Sequence, residues 1–483
     1  MAGIGFELKK IYKKEGISRA LLGIFYSSMV TIGPTILIIL TILALYLFLG
    51  LSQISYGERE LLSSTILYVF IFSVLLTAPI NVVLSRYLAD KFYEEEFHNI
   101  LSSYYVGVTL CCSFGTILFL PVGYSLLQRG NVDWKFLIFT DIFWIVALIL
   151  FFSITYLHAT KDYKMIAWFF LIGMLITVIF AIVSYFLLSV DEIHSILYGF
   201  TIGFFVIAVL EFSYIRKYFQ YFSNRYMESI RYFFSHKRLM FSNFFYMLGL
   251  YIHNFIFWTV PGRLHIAGTY YTNQTYDMAT CLAMFTNVST MIFFIVVAET
   301  RFHTAYQRYM ESVIGGTYKS IFKNKRILFR IIAQQMRQIL GVQIAITSVV
   351  FFLIITFASS LGIQGMTIQV YPVLSVAFMG VFMMYGNMIY LYYFSDMTGA
   401  FLTAFIFCSV TGIMTFFVKD YAMIWWGMGI FIGMILGWLF SFFRIKWIEK
   451  HIDQHIFCHG TVVDTIAYRE EKPVYKRDER DGK

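Results

Sequence analysis

Ionisable side chains set inside long apolar runs are the residues of this 483-residue chain whose types can do chemistry. Four are carboxylates: Asp141, Glu211, Asp277 and Glu299. A charge near the centre of a bilayer costs about 2.5–3.5 kcal/mol on insertion scales, so such a residue is a functional hypothesis until a partner accounts for it. Asp141 falls a turn or two into its run and reads either as a carboxylate hydrated from the nearer surface or as part of a polar path. Asp277 opens another run, where a helix N-terminus would favour its charge. Glu211 and Glu299 lie near the ends of theirs, with Arg216 and Arg301 close enough in sequence to pair with them. At least one of Asp141, Glu211 and Glu299 is expected to face a cavity between helix bundles. Arg86 closes a run and either snorkels to the surface or takes part in gating.

The run over 239–260 is the richest in polar and aromatic groups: Tyr246, Tyr251, His253, Asn254 and Trp258, followed by Arg263 and His265. His253 either relays protons or is hydrogen-bonded between helices. Sugars stack their C–H faces on aromatic rings, so 35 Tyr and 8 Trp suit a carbohydrate path. Tyr and Trp also form interfacial belts in any membrane protein, and composition does not choose between the two. The expected substrate path comprises Asp141, Glu211, Tyr251, His253, Asn254, Trp258, Asp277 and Glu299, with Gly33, Pro34 and Arg86 as structural or gating positions. In the tail, His451, Asp453, His455, Cys458 and His459 have the spacing of a zinc set, but such clusters are commonly incidental on a juxtamembrane helix, and no metal is expected. The phosphate-cradling Gly-x-x-x-x-Gly-Lys-Ser/Thr run, His-Glu-x-x-His and Gly-x-Ser-x-Gly are all absent from the sequence, so neither a cofactor nor enzyme chemistry is expected.

The elements that must position these residues are twelve apolar stretches, at 20–49, 61–85, 103–128, 136–157, 164–189, 193–214, 239–260, 277–299, 338–360, 370–394, 396–418 and 421–443. A hydrocarbon core about 30 Å thick needs about 20 helical residues at 1.5 Å rise each. Hydrophobic residues make up 59% of the chain and charged ones 13%, against about 25% charged in a soluble domain. Six Pro and 53 Phe fit helices better than barrel strands of about 10 residues. The fold class is an all-α polytopic membrane protein with about twelve transmembrane helices.

With the N-terminus placed inside, 32 of the 37 Lys and Arg fall on inner segments; the others are Arg59, Arg129, Lys135, Arg263 and Lys419. The positive-inside rule then makes both termini cytoplasmic. The net charge of +9 follows from attraction to the anionic leaflet of the lipid bilayer, and no nucleic-acid partner is expected. Residues 1–19 read as a cytoplasmic amphipathic segment rather than a signal peptide. An N-terminal six-helix bundle over 20–214, a cytoplasmic linker over 215–238 and a C-terminal six-helix bundle over 239–449 follow. The last carries an amphipathic insert over 300–337, expected as two helices against the inner surface or a partner, and 450–483 forms a charged tail. Division into six spans plus six suggests two bundles related by an axis along the membrane normal. The cysteines carry little: Cys111, Cys112, Cys281 and Cys408 act as small hydrophobes in spans, and Cys458 is expected to stay reduced.

The opening Ala2-Gly3-Ile4-Gly5-Phe6-Glu7-Leu8-Lys9, the Gly33-Pro34 pair and Ser85-Arg86-Tyr87-Leu88-Ala89-Asp90 resemble the PelG family. So does the run from Val297-Ala298-Glu299-Thr300-Arg301 through Tyr309 to Gly315-Gly316. The resemblance spans residue 2 to about 459; the opening motif and the Glu299–Gly316 block are its more specific parts. It implies the fold of the multidrug/oligosaccharidyl-lipid/polysaccharide (MOP) exporters, two six-helix bundles around a central path in the bacterial cytoplasmic membrane. It implies export of a cationic, partly de-N-acetylated amino-sugar polymer, the Pel exopolysaccharide of biofilm matrix. It also implies a cytoplasmic glycosyltransferase partner, PelF, and membrane partners PelD and PelE. A lipid-linked oligosaccharide flippase, a cation-coupled multidrug exporter and a scaffold for the synthase are the alternatives that the residues themselves leave open.

Overall fold

The computed structural model describes residues 37–45, 47–49, 55–160, 162–358, 363, 365–457 and 475–476. The 1–19 segment, the Gly33-Pro34 pair and most of the tail past 457 lie outside the described residues. Helix covers 37–45, and then the elements run α1 (Tyr56–Tyr93), α2 (Ile100–Gly130), α3 (Trp134–Thr160), α4 (Tyr163–Phe186) and α5 (Glu192–Tyr218). A two-residue strand β1 (Tyr221–Phe222), a short α6 (Tyr226–Ser235) and α7 (Lys237–Phe257) follow, then the antiparallel strands β2 (Leu264–Ile266) and β3 (Tyr270–Thr272). The rest is α8 (Gln274–Gly315), α9 (Tyr318–Phe357), α10 (Gly365–Tyr393), α11 (Met397–Val418), α12 (Met428–Phe457) and β4 (Tyr475–Lys476), which pairs with β1.

Among the described residues nine helices are long and apolar enough to cross a membrane: α1 to α5 and α9 to α12. The expected spans at 239–260 and 277–299 fall on α7 and α8, which are not among the nine. Both are helical; Asn243, His253 and Asn254 dilute the apolar content of α7, and the side chains of 288–300 on α8 lie outside the described residues. The expected span at 20–49 is described only over 37–45 and 47–49.

The chain divides into two compact units. The first takes the helices through Leu248 together with Pro261–Thr272 and β4; the second takes Gly249–Val260 and the elements from α8 to α12. The division therefore falls inside α7 and assigns the β2–β3 hairpin to the first unit. In that unit Tyr270 packs with Leu126 and Leu137, and the Tyr68 hydroxyl donates to the Tyr271 carbonyl at 2.8 Å while accepting from the Tyr271 N–H at 2.9 Å.

The first unit's α1 has 38 residues, about 57 Å at 1.5 Å rise, far more than the hydrocarbon core requires. Its polar end is held by a buried lysine. Lys91 Nζ lies 2.9 Å from Glu94, 2.8 Å from Glu96 and 2.7 Å from Glu228 of α6. Asn99 Nδ2 donates to Glu96, and Ser223 Oγ donates to Asn99 Oδ1, at 2.8 and 2.6 Å. Close by, the Tyr232 hydroxyl donates to Asp90 and takes a hydrogen bond from Arg86. Burial, then the Asp90 carboxylate, holds the Tyr232 proton well above the usual tyrosine range. Arg86 thus lies beside Tyr232 of α6.

In the second unit the stretch 300–337 lies on two helices that part at Gly315-Gly316, each continuous with an apolar part: α8 (42 residues) and α9 (40 residues). Thr317 caps α9 by accepting from the Ser320 N–H, 3.4 Å. Phe302, Tyr309, Leu328, Phe329 and Ile332 of this hairpin are buried with Tyr390, Phe394, Ile448 and Ile452. Asp453 of α12 accepts from the Tyr309 hydroxyl and pairs with Lys325, both at 2.7 Å. That carboxylate, a member of the zinc-like tail spacing, is thereby engaged. Nearby, Asp396 caps α11 by accepting from the Gly399 N–H at 3.0 Å, and it receives Arg444 of α12 through Nε at 2.6 Å and a second guanidinium nitrogen at 3.1 Å.

Candidate functional site

Three of the expected path residues, Asn254, Trp258 and Asp277, belong to one group in the second unit. Asn273 starts α8: its side chain accepts from the Tyr276 N–H, 3.2 Å, which satisfies one of the amides that a helix start leaves open. One turn on, Asp277 collects donors from two elements. Asn254 Nδ2 reaches Asp277 Oδ1 at 2.7 Å, Trp258 Nε1 reaches both oxygens at 3.0 Å, and the Asn273 N–H reaches Oδ2 at 3.0 Å. Asn254 and Trp258 lie four apart on α7 and its C-terminal turn, hence on one face. The carboxylate sits half-buried at the N-terminal end of α8, where the dipole also favours it. Asn254 is buried, and its Oδ1 has no hydrogen-bond partner among the described residues. A carboxylate, an indole and an amide with a spare acceptor are a set that suits a ligand rich in O–H and N–H donors.

His253 belongs to the same stretch but faces another way. It is fully buried, its Nδ1 is 2.9 Å from the Tyr276 hydroxyl, and Nε2 is without a hydrogen-bond partner among the described residues. Tyr276 in turn stacks on Phe257 with ring centroids 3.9 Å apart. This is a histidine bonded between α7 and α8. Tyr251 is half-buried and lies near Cys281 of α8.

The remaining expected residues lie elsewhere. Asp141 is two turns into α3, half-buried, with Oδ1 buried and without a hydrogen-bond partner among the described residues. Glu211 is on α5 in the first unit, fully buried, and neither carboxyl oxygen has a hydrogen-bond partner among the described residues. The pairing with Arg216 that the sequence allowed is not made. Glu299 lies on α8, with its side chain outside the described residues, as are Gly33 and Pro34. Among the described residues no group of three or more His, Cys, Asp and Glu side chains could hold a metal ion.

A second polar group, which the sequence did not reveal, lies deeper in the second unit. Asn287 Nδ2 donates to the Ala283 and Ser375 carbonyls at 2.8 and 3.0 Å. Gln343 Nε2 donates to Asn287 Oδ1 at 2.8 Å and to Thr347 Oγ1 at 2.9 Å, and the Thr286 and Tyr371 hydroxyls meet at 2.9 Å. These uncharged groups join α8, α9 and α10. Gln343 and Thr347, four apart on one helix face, are the pattern that could have signalled them.

The comparisons with known proteins agree with this architecture. The sequence matches, over residues 1–457, the PelG family, described as "Putative exopolysaccharide Exporter (EPS-E)". No curated protein matches. Among solved structures, the chain is similar to a multidrug resistance MATE family transporter of the MOP superfamily in an outward-facing conformation. The TM-score is 0.64 at 13% identity, covering 89% of this chain and 96% of that one. A MOP superfamily transporter from Pyrococcus furiosus gives 0.58 at 13% identity, with the same coverages. A mutant of the Vibrio cholerae MATE transporter VcmN gives 0.59 at 10% identity, covering 88% of this chain and 96% of that one. At such identities the likeness shows the fold, and the family rests on the sequence match. The chain is a multi-pass membrane protein with the MOP exporter fold, and it belongs to the PelG family of exopolysaccharide exporters.

Proposed function

We propose that this protein carries a cationic, partly de-N-acetylated amino-sugar polymer of the Pel type across the bacterial cytoplasmic membrane for biofilm matrix. The family match over residues 1–457 is the observation that carries this reading. A cytoplasmic glycosyltransferase extends the polymer as it passes, with PelF as that synthase and PelD and PelE as membrane partners. Both termini lie in the cytoplasm, as the distribution of Lys and Arg requires.

Asp277, Trp258 and Asn254 then form a contact for the sugar as it moves. The carboxylate suits a protonated amine, the indole a sugar face, and Asn254 Oδ1 a hydroxyl or ammonium donor. Asp277 already accepts hydrogen bonds at both oxygens, so a passing sugar competes with existing donors, and contact is weak. Weak contact suits a moving polymer, which must leave each position as easily as it enters.

A clean deletion with separate assay of amino-sugar polymer outside and inside the cells, and of drug tolerance, tests this. Loss of extracellular polymer, restored by complementation, supports it. Unchanged extracellular polymer with altered drug tolerance would replace it with a multidrug exporter, for which the fold alone is adequate. Co-purification of the synthase with no transport defect in Asp277 or Trp258 variants would make the protein a scaffold instead.

A further inference from the structure

Glu211 has no structural explanation in the first unit. It lies on the buried stripe of α5, among Phe204, Ile207, Ala208 and Ile215, and none of its surface reaches solvent. Neither oxygen has a hydrogen-bond partner among the described residues. Tyr104 of α2 is close enough to feel its charge, but its hydroxyl is engaged with Ser153 Oγ at 2.8 Å. The Tyr156 hydroxyl is likewise engaged with Ser103 Oγ at 2.9 Å. Buried carboxylates that serve structure are paired or multiply hydrogen-bonded, because an unpaired buried charge is too costly to keep. Glu211 is neither.

Among the described residues, the helices packed around it supply no compensating charge. Apart from Tyr104, α2 brings Tyr105; α3 brings Tyr156 and His158; and α4 has ionisable residues only at its ends, Tyr163, Lys164 and Tyr185. At the polar end of α1, Arg86 is engaged by Tyr232 and Lys91 by three carboxylates. On α5 itself Arg216 and Lys217 lie a turn or more beyond. The aqueous edge is close, however. Tyr214, three residues on and so about 4.5 Å along the axis, donates to Asp162 in the turn between α3 and α4, 2.8 Å.

We propose that Glu211 is a proton-binding site of the first unit, and that export, on the reading given above, requires it to take up and release that proton. Uptake converts the carboxylate to the neutral acid that a dry interior tolerates; release requires the α5 surroundings to open towards the Tyr214–Asp162 edge. The ligand is a proton rather than a metal cation. Hard metal ions take about six or more oxygens, and here no second polar group stands within hydrogen-bond reach of either carboxyl oxygen among the described residues.

The test uses the full-length protein in native membranes and dicyclohexylcarbodiimide, which adds to protonated carboxyls in apolar surroundings. Peptide mass spectrometry should find the adduct on Glu211, falling as the labelling pH is raised. In cells, Glu211→Gln, which keeps shape and burial, should lower extracellular polymer at least tenfold at an unchanged membrane level, while Glu211→Asp retains part of it. A Glu211 that is unlabelled at every pH overturns the proton site, and so does Glu211→Gln exporting normally where deletion abolishes export. The adduct needs no knowledge of the cargo: labelled Glu211 in a strain whose deletion leaves polymer unchanged would keep the site and discard only the exopolysaccharide reading.

Discussion

Gly203 of α5 lies against Thr177 of α4 so closely that a Cβ there would overlap the threonine hydroxyl, and Gly433 of α12 lies in the same way against Thr411 of α11. One turn before each stands a second glycine: a Cβ on Gly199 would meet the Thr177 carbonyl at 2.7 Å, and one on Gly429 the Thr415 backbone N at 2.7 Å. In both units, therefore, the last two membrane helices meet through a Gly-x-x-x-Gly on the final helix and threonine on its neighbour. Within a membrane, helix association rests on this kind of close packing, since burying apolar surface gains nothing against lipid. The turns that lead into the two helix pairs match as well. Asp162 accepts from Tyr214 of α5, and Asp396 accepts from Arg444 of α12. The two units share a design at these positions even though the sequence shows only weak self-similarity.

Gly203→Leu and Gly433→Leu should each force their helix pair apart. Overpacking of this kind costs about 1–3 kcal/mol, and both variants should melt at lower temperature in detergent than the parent. Gly262, which has open space around a Cβ, is unsuitable as a control because its φ is +92°; Gly341, with open space and ordinary backbone, serves. Equal melting of Gly203→Leu and Gly341→Leu would show that the close approach does not matter to stability.

Arg444 and Asp396 give a sharper expectation. Asp396 is 2% exposed, so removing the arginine leaves a carboxylate in a site that excludes water. Breaking a buried pair in this way costs about 3–5 kcal/mol. Arg444→Ala should therefore destabilise strongly, whereas Asp396→Asn in the Arg444→Ala background should recover part of the loss by removing the stranded charge. Thermal unfolding of the single and double variants measures this, and additivity between them would contradict it.

These pairs also show what the chain made legible. Long apolar runs fix element type, so α1 to α5 and α9 to α12 fall where hydropathy places them, and Asp277 reads as a helix-start carboxylate because the run begins there. The amide cluster around Asn287 and Gln343 was not visible, because an uncharged polar residue barely lowers the mean of an apolar window and its partners come from α8, α9 and α10. That α8 runs unbroken past Glu299 is not legible at the change from apolar to basic composition, whereas the break at Gly315-Gly316 is. A helix continues through such a change when, as with Tyr309 and Asp453, neighbours satisfy its side chains. For Glu211, sequence proximity to Arg216 suggested pairing, but residues five apart on a helix lie about 140° apart, given about 100° per residue, and do not meet.

At the candidate sugar contact, charge and ring should separate. Asp277→Asn keeps an acceptor for Trp258 and the Asn273 N–H but loses the negative charge, so extracellular polymer should fall about tenfold with normal protein in the membrane. Trp258→Phe keeps the apolar ring and loses the hydrogen bond to Asp277, a net loss of about 1.5–3 kcal/mol for a bond to a charged group, and should lower melting temperature more than export. The reverse pattern, with Asp277→Asn unfolding the protein and Trp258→Phe leaving its stability unchanged, would make Asp277 a structural node alone.

The lysine knot at the end of α1 should respond unequally at its three carboxylates. Lys91 has a side chain 5% exposed, and its partners Glu96, Glu228 and Glu94 are 15%, 33% and 41% exposed. Solvent screens the Glu94 pair most, so Glu94→Gln should cost under about 1 kcal/mol, as exposed ion pairs do. Glu96→Gln should cost more, because Glu96 Oε2 also accepts from Asn99 Nδ2 at 2.8 Å, and Asn99 in turn holds Ser223. Lys91→Met should cost most of all, since it leaves three carboxylates together without their cation while α6 loses its tie through Glu228. Hydrogen exchange over 221–235 should then rise in Lys91→Met and Glu228→Gln but not in Glu94→Gln. Equal exchange in all three would mean that α6 is held by Tyr232, Asp90 and Arg86 rather than by the lysine.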